Sequence, residues 1–382
     1  VNAQPPFVRL LSLAVTTALA AACSAEDPAI SAYREPAADP AELQAHIAAA
    51  GLNGWLDQIM PVTLETEGAW DVARFDPAGD ARCYDGSPYV ASARRGDPKK
   101  VALILGGGGG CWDWGTCYGI QIAKDSSDAA RDWDGLFSST NDANPIADWS
   151  LVYGDYCDGS VWTGDRDVVY THPDGHTVPT FHRGLRNLSA TVSWMRERHP
   201  DPEQILVTGA SAGGYGTLMG YMVVRAAWPD HEIVVLNDSG PWLFNPALQE
   251  EMLDPVFANW DIPRLLPADC PASCDEQLLF LLDWIMPRDP KLRIGILMHL
   301  NDFTIGTGYL GIGLGFPDLL RDTTGRVHAQ FPDRFRRYFV EGIKHTSIFD
   351  DETYELERDG LVFTDWLAAL LAGNQAGWPD LP

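Results

Sequence analysis

From residue 89 onward, short apolar runs that end in glycine or turn residues alternate with longer segments whose apolar positions recur at helical spacing. The runs at 89–93, 101–105 and 150–153 read as strands, followed by a helix over 181–198, a strand over 204–208, a helix over 214–227 and a strand over 232–236. After an irregular stretch, 276–286 reads as helical, 293–300 and 336–340 as strands and 361–371 as a closing helix. Ahead of these, 41–59 carries apolar residues at helical spacing, with Asp39 placed to cap it. Strands alternating with helices of this length predict a mostly parallel sheet covered on both faces, hence an α/β fold with loop insertions. No repeat or linker divides 40–382, which is expected to form one domain.

Residues 7–22 form an apolar run with Arg9 near its start and small residues directly before Cys23, the pattern of a signal peptide. With about 13 residues after the arginine, the run is shorter than the ~20 that span a bilayer. The stretch 19–23, LAAAC, is similar to a bacterial lipobox and predicts acylation of Cys23; Ala20 stands where leucine is more usual, so plain cleavage and secretion is the alternative. Residues 24–39 are rich in alanine, proline and acidic side chains and read as a tether. The expected address is the bacterial outer membrane, held through the lipid alone, with the periplasm or full secretion as the alternative.

Composition then narrows the partners. Lys and Arg number 27 against 53 Asp and Glu, a net charge of −26 whose field repels phosphate backbones and argues against a nucleic-acid partner. Seven cysteines in an exported chain leave one odd thiol, and assigning Cys23 to acylation leaves six that can pair. Cys111 and Cys117 are close along one loop, Cys270 and Cys274 along another, which leaves Cys83 for Cys157. Zinc is the competing reading, but there is no C-x-x-C pair. The acidic residues Asp125, Asp128, Asp132, Asp134 and Asp142 could ligate calcium, yet they lack the EF-hand spacing. No metal or other cofactor is expected.

Between the predicted strand 204–208 and the helix that follows lies Gly209-Ala210-Ser211-Ala212-Gly213, a match to G-x-S-x-G. A serine on a strand-to-helix elbow is exposed for attack, next to a helix N-terminus that favours developing negative charge, so Ser211 is the candidate nucleophile. The competing role is a tight turn that lets helix and strand pack closely. In α/β-hydrolase chains the acid and the base follow the serine in that order. Asp238 and Asp302 both end predicted strands, and Asp302 suits the order better. Two histidines follow it: His345, in a loop directly after a strand, is favoured over His328, expected in a surface hairpin. Five glycines, Gly106 to Gly110, follow another strand and let N–H groups turn toward a ligand; one oxyanion donor is expected from this loop and one from Ala212. A phosphate-cradling loop is the alternative, but the run lacks the G-K-[ST] ending. A carboxylesterase working through an acyl-enzyme and a catalytically silent binding relative are the two functional classes left.

Taken in order, CYDGSP at 83–88, the run 106–111, YCDGS at 156–160 with WTGD at 162–165, HRG at 182–184, the segment 209–214, ND at 301–302 and HT at 345–346 resemble the pectin acetylesterase/Notum family of serine carboxylesterases. The resemblance implies Ser211 as nucleophile, Asp302 as acid, His345 as base, and an oxyanion hole from Gly108 and Gly109 with Ala212. It also supports the pairs Cys83–Cys157 and Cys111–Cys117, and implies an ester substrate. Gly106 stands where the family has an acidic residue, the motif's aromatic moves to Trp112 and Trp114, and 303–316 is glycine-rich and apolar where the plant enzymes are more polar. The mouth of the site is therefore reshaped. Short acyl esters of an acetylated saccharide such as pectin are expected, with lipid-like or polyester substrates as the alternative. Trp112 and Trp162 are candidates for the pocket wall, with core packing the other role for Trp162. Asp155, Asp158 and Asp165 fall in a loop the family places near the site, as substrate contacts or turn residues, and Arg183 and Arg186 read as structural ion partners.

Overall fold

The computed structural model describes residues 39–130, 134–270, 274 and 277–382. The predicted signal peptide, Cys23, the tether up to residue 38 and Asp132 lie outside the described residues.

The apolar runs become strands because their side chains alternate between two cores. In β4 (Asp97–Leu105), Val101, Leu103 and Leu105 enter one core while Ala102 and Ile104 enter the other. The same division holds in β8 (Gln204–Ala210), β9 (Ile233–Asp238) and β10 (Arg293–His299), where Val207, Val235 and Ile296 face one way and Leu206, Leu236 and Leu297 the other. Burial on both faces is why these runs read as continuously apolar. With β1 (Thr63–Glu67), β2 (Trp70–Arg74), β3 (Val90–Arg94), β5 (Trp149–Gly154) and β11 (Phe335–Val340) they form a nine-stranded sheet in the order β1-β2-β3-β5-β4-β8-β9-β10-β11. The six strands from β5 to β11 run parallel, and β1 to β3 add an antiparallel edge.

Helices cover both faces. Residues of α1 (Pro40–Ala49), α2 (Gly184–Arg198), α3 (Ala212–Ala227), α4 (Asp254–Trp260), α5 (Leu282–Arg288) and α6 (Phe316–Gln330) pack into the first core, and Phe363, Trp366, Leu367 and Leu370 of α7 (Phe363–Ala372) into the second. Asp39 caps α1 by accepting from the Ala41 N–H at 3.0 Å, but the helix expected to reach residue 59 ends at Ala49, where Gly51 at φ +70° turns the chain. The helix expected from 181 starts at Gly184, because Phe181 and His182 complete a separate hairpin of β6 (Arg166–Thr171) and β7 (Thr177–His182). The segment 276–286 resolves into a 3₁₀ turn, Leu278–Leu281, and α5. His328 lies on α6, not in a hairpin, with its Nδ1 2.8 Å from the Phe335 carbonyl oxygen.

Strand order decides where a site can form. From β4 the chain crosses to β5 on one side, and β8 lies on the other, so the carboxyl ends of β4 and β8 flank a topological switch point. Leu105 pairs with Gly209 there, which brings the glycine run and the Ser211 turn together.

Candidate active site

Ser211 occupies the single residue between β8 and α3, at φ 59° and ψ −121°. A non-glycine residue holds this conformation only where its surroundings enforce it. Enforcement comes from close approach on one side, since a Cβ on Gly213 would stand 2.0 Å from the Leu105 carbonyl oxygen, and from the Ser211 N–H, which donates to the Asp238 carbonyl oxygen at 3.0 Å on the other.

The two later residues of the expected triad meet. His345 Nδ1 lies 2.7 Å from Asp302 Oδ2, and Asp302, 1% exposed, accepts from the Ile305 N–H at 3.0 Å with its other oxygen. An ionised carboxylate only accepts, so this contact places the proton on Nδ1 and leaves Nε2 free to act as a base. Ser211 and His345 line the same cleft.

Asp238, the other candidate acid, does something different. Its Oδ2 accepts from the Ser347 and Ile348 N–H groups at 2.6 and 3.0 Å, and its Oδ1 accepts from the Ser239 hydroxyl at 2.9 Å. The same hydroxyl accepts from the Thr346 N–H at 3.1 Å. Burial pushes the Asp238 carboxyl up, while these donors favour its charged form. Asp238 therefore fastens the backbone just beyond His345, and its carbonyl fastens Ser211.

In the glycine run, Gly108 accepts from the Lys124 N–H at 2.7 Å, and Gly109 sits at φ +79°, where a Cβ would be 1.9 Å from the Ile122 carbonyl oxygen. Among the described residues, nothing accepts from the N–H groups of Gly108, Gly109 or Ala212, as an oxyanion site requires. The Cys111–Cys117 disulfide closes the loop directly beyond, Cys83–Cys157 ties the segment before it to the one after β5, and Cys270–Cys274 forms the third pair.

At Ser211 the cleft divides into two lobes. One is narrow, apolar and lined among others by Trp112, Tyr215, Phe244, Met252, Trp260 and Ile305. The second, roomier at about 660 Å³, is lined by His345 together with Lys124, Tyr153, Asp155, Thr304 and Phe349. Trp112 thus stands in the wall, where its indole donates to the Glu251 carbonyl at 3.1 Å. Trp162 does not: it is wholly buried and lines neither lobe, and it donates to the Gly106 carbonyl at 3.0 Å, propping the glycine run from behind.

The remaining acidic residues separate. Asp155 lines the second lobe, whereas Asp158 is buried behind the site, where its Oδ1 accepts from the Ser160 N–H at 2.7 Å and burial pushes its carboxyl up to about 6. Asp165 accepts from Trp55 at 3.0 Å and pairs with Arg186 and Arg264, and Arg183 pairs with Asp167 at 2.6 Å. Lys124 and the apolar residues between 243 and 260 line the cleft without a motif that singles them out. The aromatic-rich string PWLF at 241–244 and the later Trp260 were the available signal.

A parallel sheet whose carboxyl edge carries a serine on a strained elbow, a histidine held by a carboxylate and a loop of free N–H groups defines the α/β-hydrolase class. More narrowly, the family model described as Pectinacetylesterase matches residues 71–286, over half of the chain, and the chain belongs to that family. It is 24% identical to pectin acetylesterase 11 of Arabidopsis thaliana over 223 residues, 54% of this chain and 56% of that protein. Pectin acetylesterase 7 of the same plant is 24% identical over 225 residues, 55% and 56% of the two chains. The chain spans about half the length of these curated relatives. Among solved structures, the Wnt deacylase Notum from Drosophila superposes with a TM-score of 0.59 at 17% identity, covering 81% of this chain and 95% of that one. A second crystal form of it gives 0.56, also at 17% identity, over 78% and 94%. This likeness shows the fold.

Proposed function

We propose that this protein hydrolyses carboxylic esters through an acyl-enzyme on Ser211. The observation that carries the reading is the 2.7 Å contact of Asp302 with His345 on the cleft wall shared with the elbow serine. Ser211 Oγ attacks the carbonyl carbon as its proton passes to His345 Nε2. The oxyanion settles on the N–H groups of Ala212 and the glycine loop, and collapse breaks the C–O bond with the alcohol taking the proton from His345. Water then repeats the sequence in reverse roles and releases the acid.

Family membership supports an acetyl ester as substrate, with an acetylated saccharide as the alcohol-bearing half. The apolar lobe at Ser211 favours a second reading in which a longer acyl chain is accepted. Three disulfides fit an oxidising compartment outside the cytosol. No helix of the described residues is long and apolar enough to cross a membrane. The proposed attachment is the lipid on Cys23, on the LAAAC stretch at 19–23.

A panel of p-nitrophenyl esters from acetate to palmitate, with acetylated pectin and xylan beside it, tests the reading. Turnover that falls with chain length and vanishes in Ser211→Ala supports the acetylesterase. Faster turnover on palmitate selects the second reading, and turnover retained by Ser211→Ala overturns both.

A further inference from the structure

The two lobes that meet at Ser211 are not equivalent toward an ester, and the difference specifies the alcohol half of the substrate. This inference rests on the esterase reading. When the C–O bond breaks, the leaving oxygen must receive its proton from His345, so the alcohol lies beside the imidazole. His345 lines the polar lobe and does not line the apolar one. The acyl group then extends into the apolar lobe, and the alcohol occupies the lobe of Lys124, Tyr153, Asp155, Thr304 and Phe349.

Charge in that lobe comes from Lys124 and Asp155 besides the histidine. The Lys124 ammonium contacts both carboxylate oxygens of Asp155, at 2.8 and 2.6 Å. Asp155 is filled by its neighbours: Oδ1 also accepts from the Tyr153 hydroxyl at 2.9 Å, and Oδ2 from the Asp128 N–H at 2.6 Å. Its side chain is 4% exposed and that of Lys124 33%. The carboxylate thus has no lone pair to spare for a ligand, and its charge cancels the ammonium. Lys124 has three N–H donors, of which two face Asp155, leaving a third for an oxygen in the lobe. Phe349 adds an apolar stretch to the wall.

We infer that the polar lobe binds an uncharged, hydroxyl-bearing alcohol, a neutral saccharide in preference to a uronate, with Lys124 as a hydrogen-bond donor neutralised by Asp155. A carboxylate-bearing sugar finds no net positive charge here, and the overall charge of −26 adds repulsion.

The test compares kcat/KM for acetylated xylo-oligosaccharide, acetylated oligogalacturonide and p-nitrophenyl acetate. Salt is held at 0.15 M, where a Debye length of about 8 Å screens the distant charges. The wild type should prefer the neutral saccharide over the galacturonide by at least about tenfold. Asp155→Asn leaves the ammonium unopposed and should shift that ratio toward the galacturonide by about tenfold. Lys124→Met, which keeps the backbone N–H to Gly108, should lower saccharide turnover by more than about tenfold relative to p-nitrophenyl acetate, and it serves if Asp155→Asn fails to fold. Equal turnover of the two saccharides in the wild type, or a ratio unmoved by either variant, overturns the inference while p-nitrophenyl acetate turnover leaves the esterase reading standing. Loss of every activity in the wild type overturns the esterase reading and this inference with it.

Discussion

Two buried carboxylates stand near His345, and amide substitution of each should give very different losses. Asp302 contacts the imidazole directly at 2.7 Å and accepts from the Ile305 N–H with its other oxygen, so Asp302→Asn, with one oxygen for two donors, keeps it toward Ile305 and turns its NH2 to Nδ1. In serine triads, that change lowers kcat by about 10⁴ through the wrong tautomer. Asp238 does not touch the imidazole: it reaches the N–H groups of Ser347 and Ile348 and the Ser239 hydroxyl. In Asp238→Asn the amide oxygen can still accept from both backbone N–H groups and the Ser239 hydroxyl can turn to accept from the new NH2, so what is lost is chiefly the charge on the two backbone hydrogen bonds, about 1 kcal/mol each or less. If all of that went into displacing His345, kcat would fall by about 10- to 30-fold. The assay is kcat on p-nitrophenyl acetate, with thermal unfolding to confirm that each variant folds. Both substitutions are repeated on a His345→Ala background. Because both carboxylates act through the imidazole, neither should lower the residual rate there further. An Asp238→Asn loss as large as that of Asp302→Asn, or a full effect of either without His345, would exclude these separate roles for the two carboxylates.

Three further substitutions probe the glycine loop, a distant turn and a buried histidine. Gly109→Ala places a methyl 1.9 Å from the Ile122 carbonyl and 2.4 Å from the Tyr309 hydroxyl, so the loop must move, and kcat should fall by about 10²–10³ as for a lost oxyanion donor. Gly68→Ala, at a similar φ of +62° with nothing within 4 Å, should cost stability by thermal melt and leave kcat alone. Burial pushes the His182 imidazole down to about 4, so between that value and an unfolded pKa near 6.5 the folded chain binds fewer protons than the unfolded one. Its contribution to stability is complete above pH 6.5 and is lost as pH falls through 4. The stability gap between wild type and His182→Asn, measured by denaturant titration, should therefore shrink by about 3 kcal/mol from pH 7 to pH 4; a constant gap would contradict the buried neutral imidazole.

What could be read from the sequence is what local chemistry determines. The elbow and the glycine run announce themselves in five or six consecutive residues, and the parallel strands are continuously apolar because both their faces are covered. Features set by distant partners could not be read. Trp162, at φ +67°, is enclosed by Gly154, Gly184 and Gly216, which no local pattern around WTGD links to it. Lys124 meets Asp155 across 31 positions, and in the string AKDSSD it looks like a solvated loop cation. The β6–β7 hairpin is mostly exposed and lacks the apolar alternation that marks a strand, so its last residues were assigned to the helix that follows. In α6 the run Asp322-Thr-Thr-Gly325 holds poor helix formers, and the helix is kept by Phe316, Leu320 and Val327 packing on the core. The assignment of His328 to a hairpin failed for that reason.

The central claim is that Ser211 carries the acyl group. Incubating the protein with a fluorophosphonate probe and mapping the labelled peptide tests it most directly, because only a serine activated by its base reacts at an appreciable rate. Stoichiometric label is expected on the peptide containing Ser211, none in Ser211→Ala, and labelling slowed by several powers of ten in His345→Ala. Label on another serine, or label that persists in Ser211→Ala, would contradict the claim.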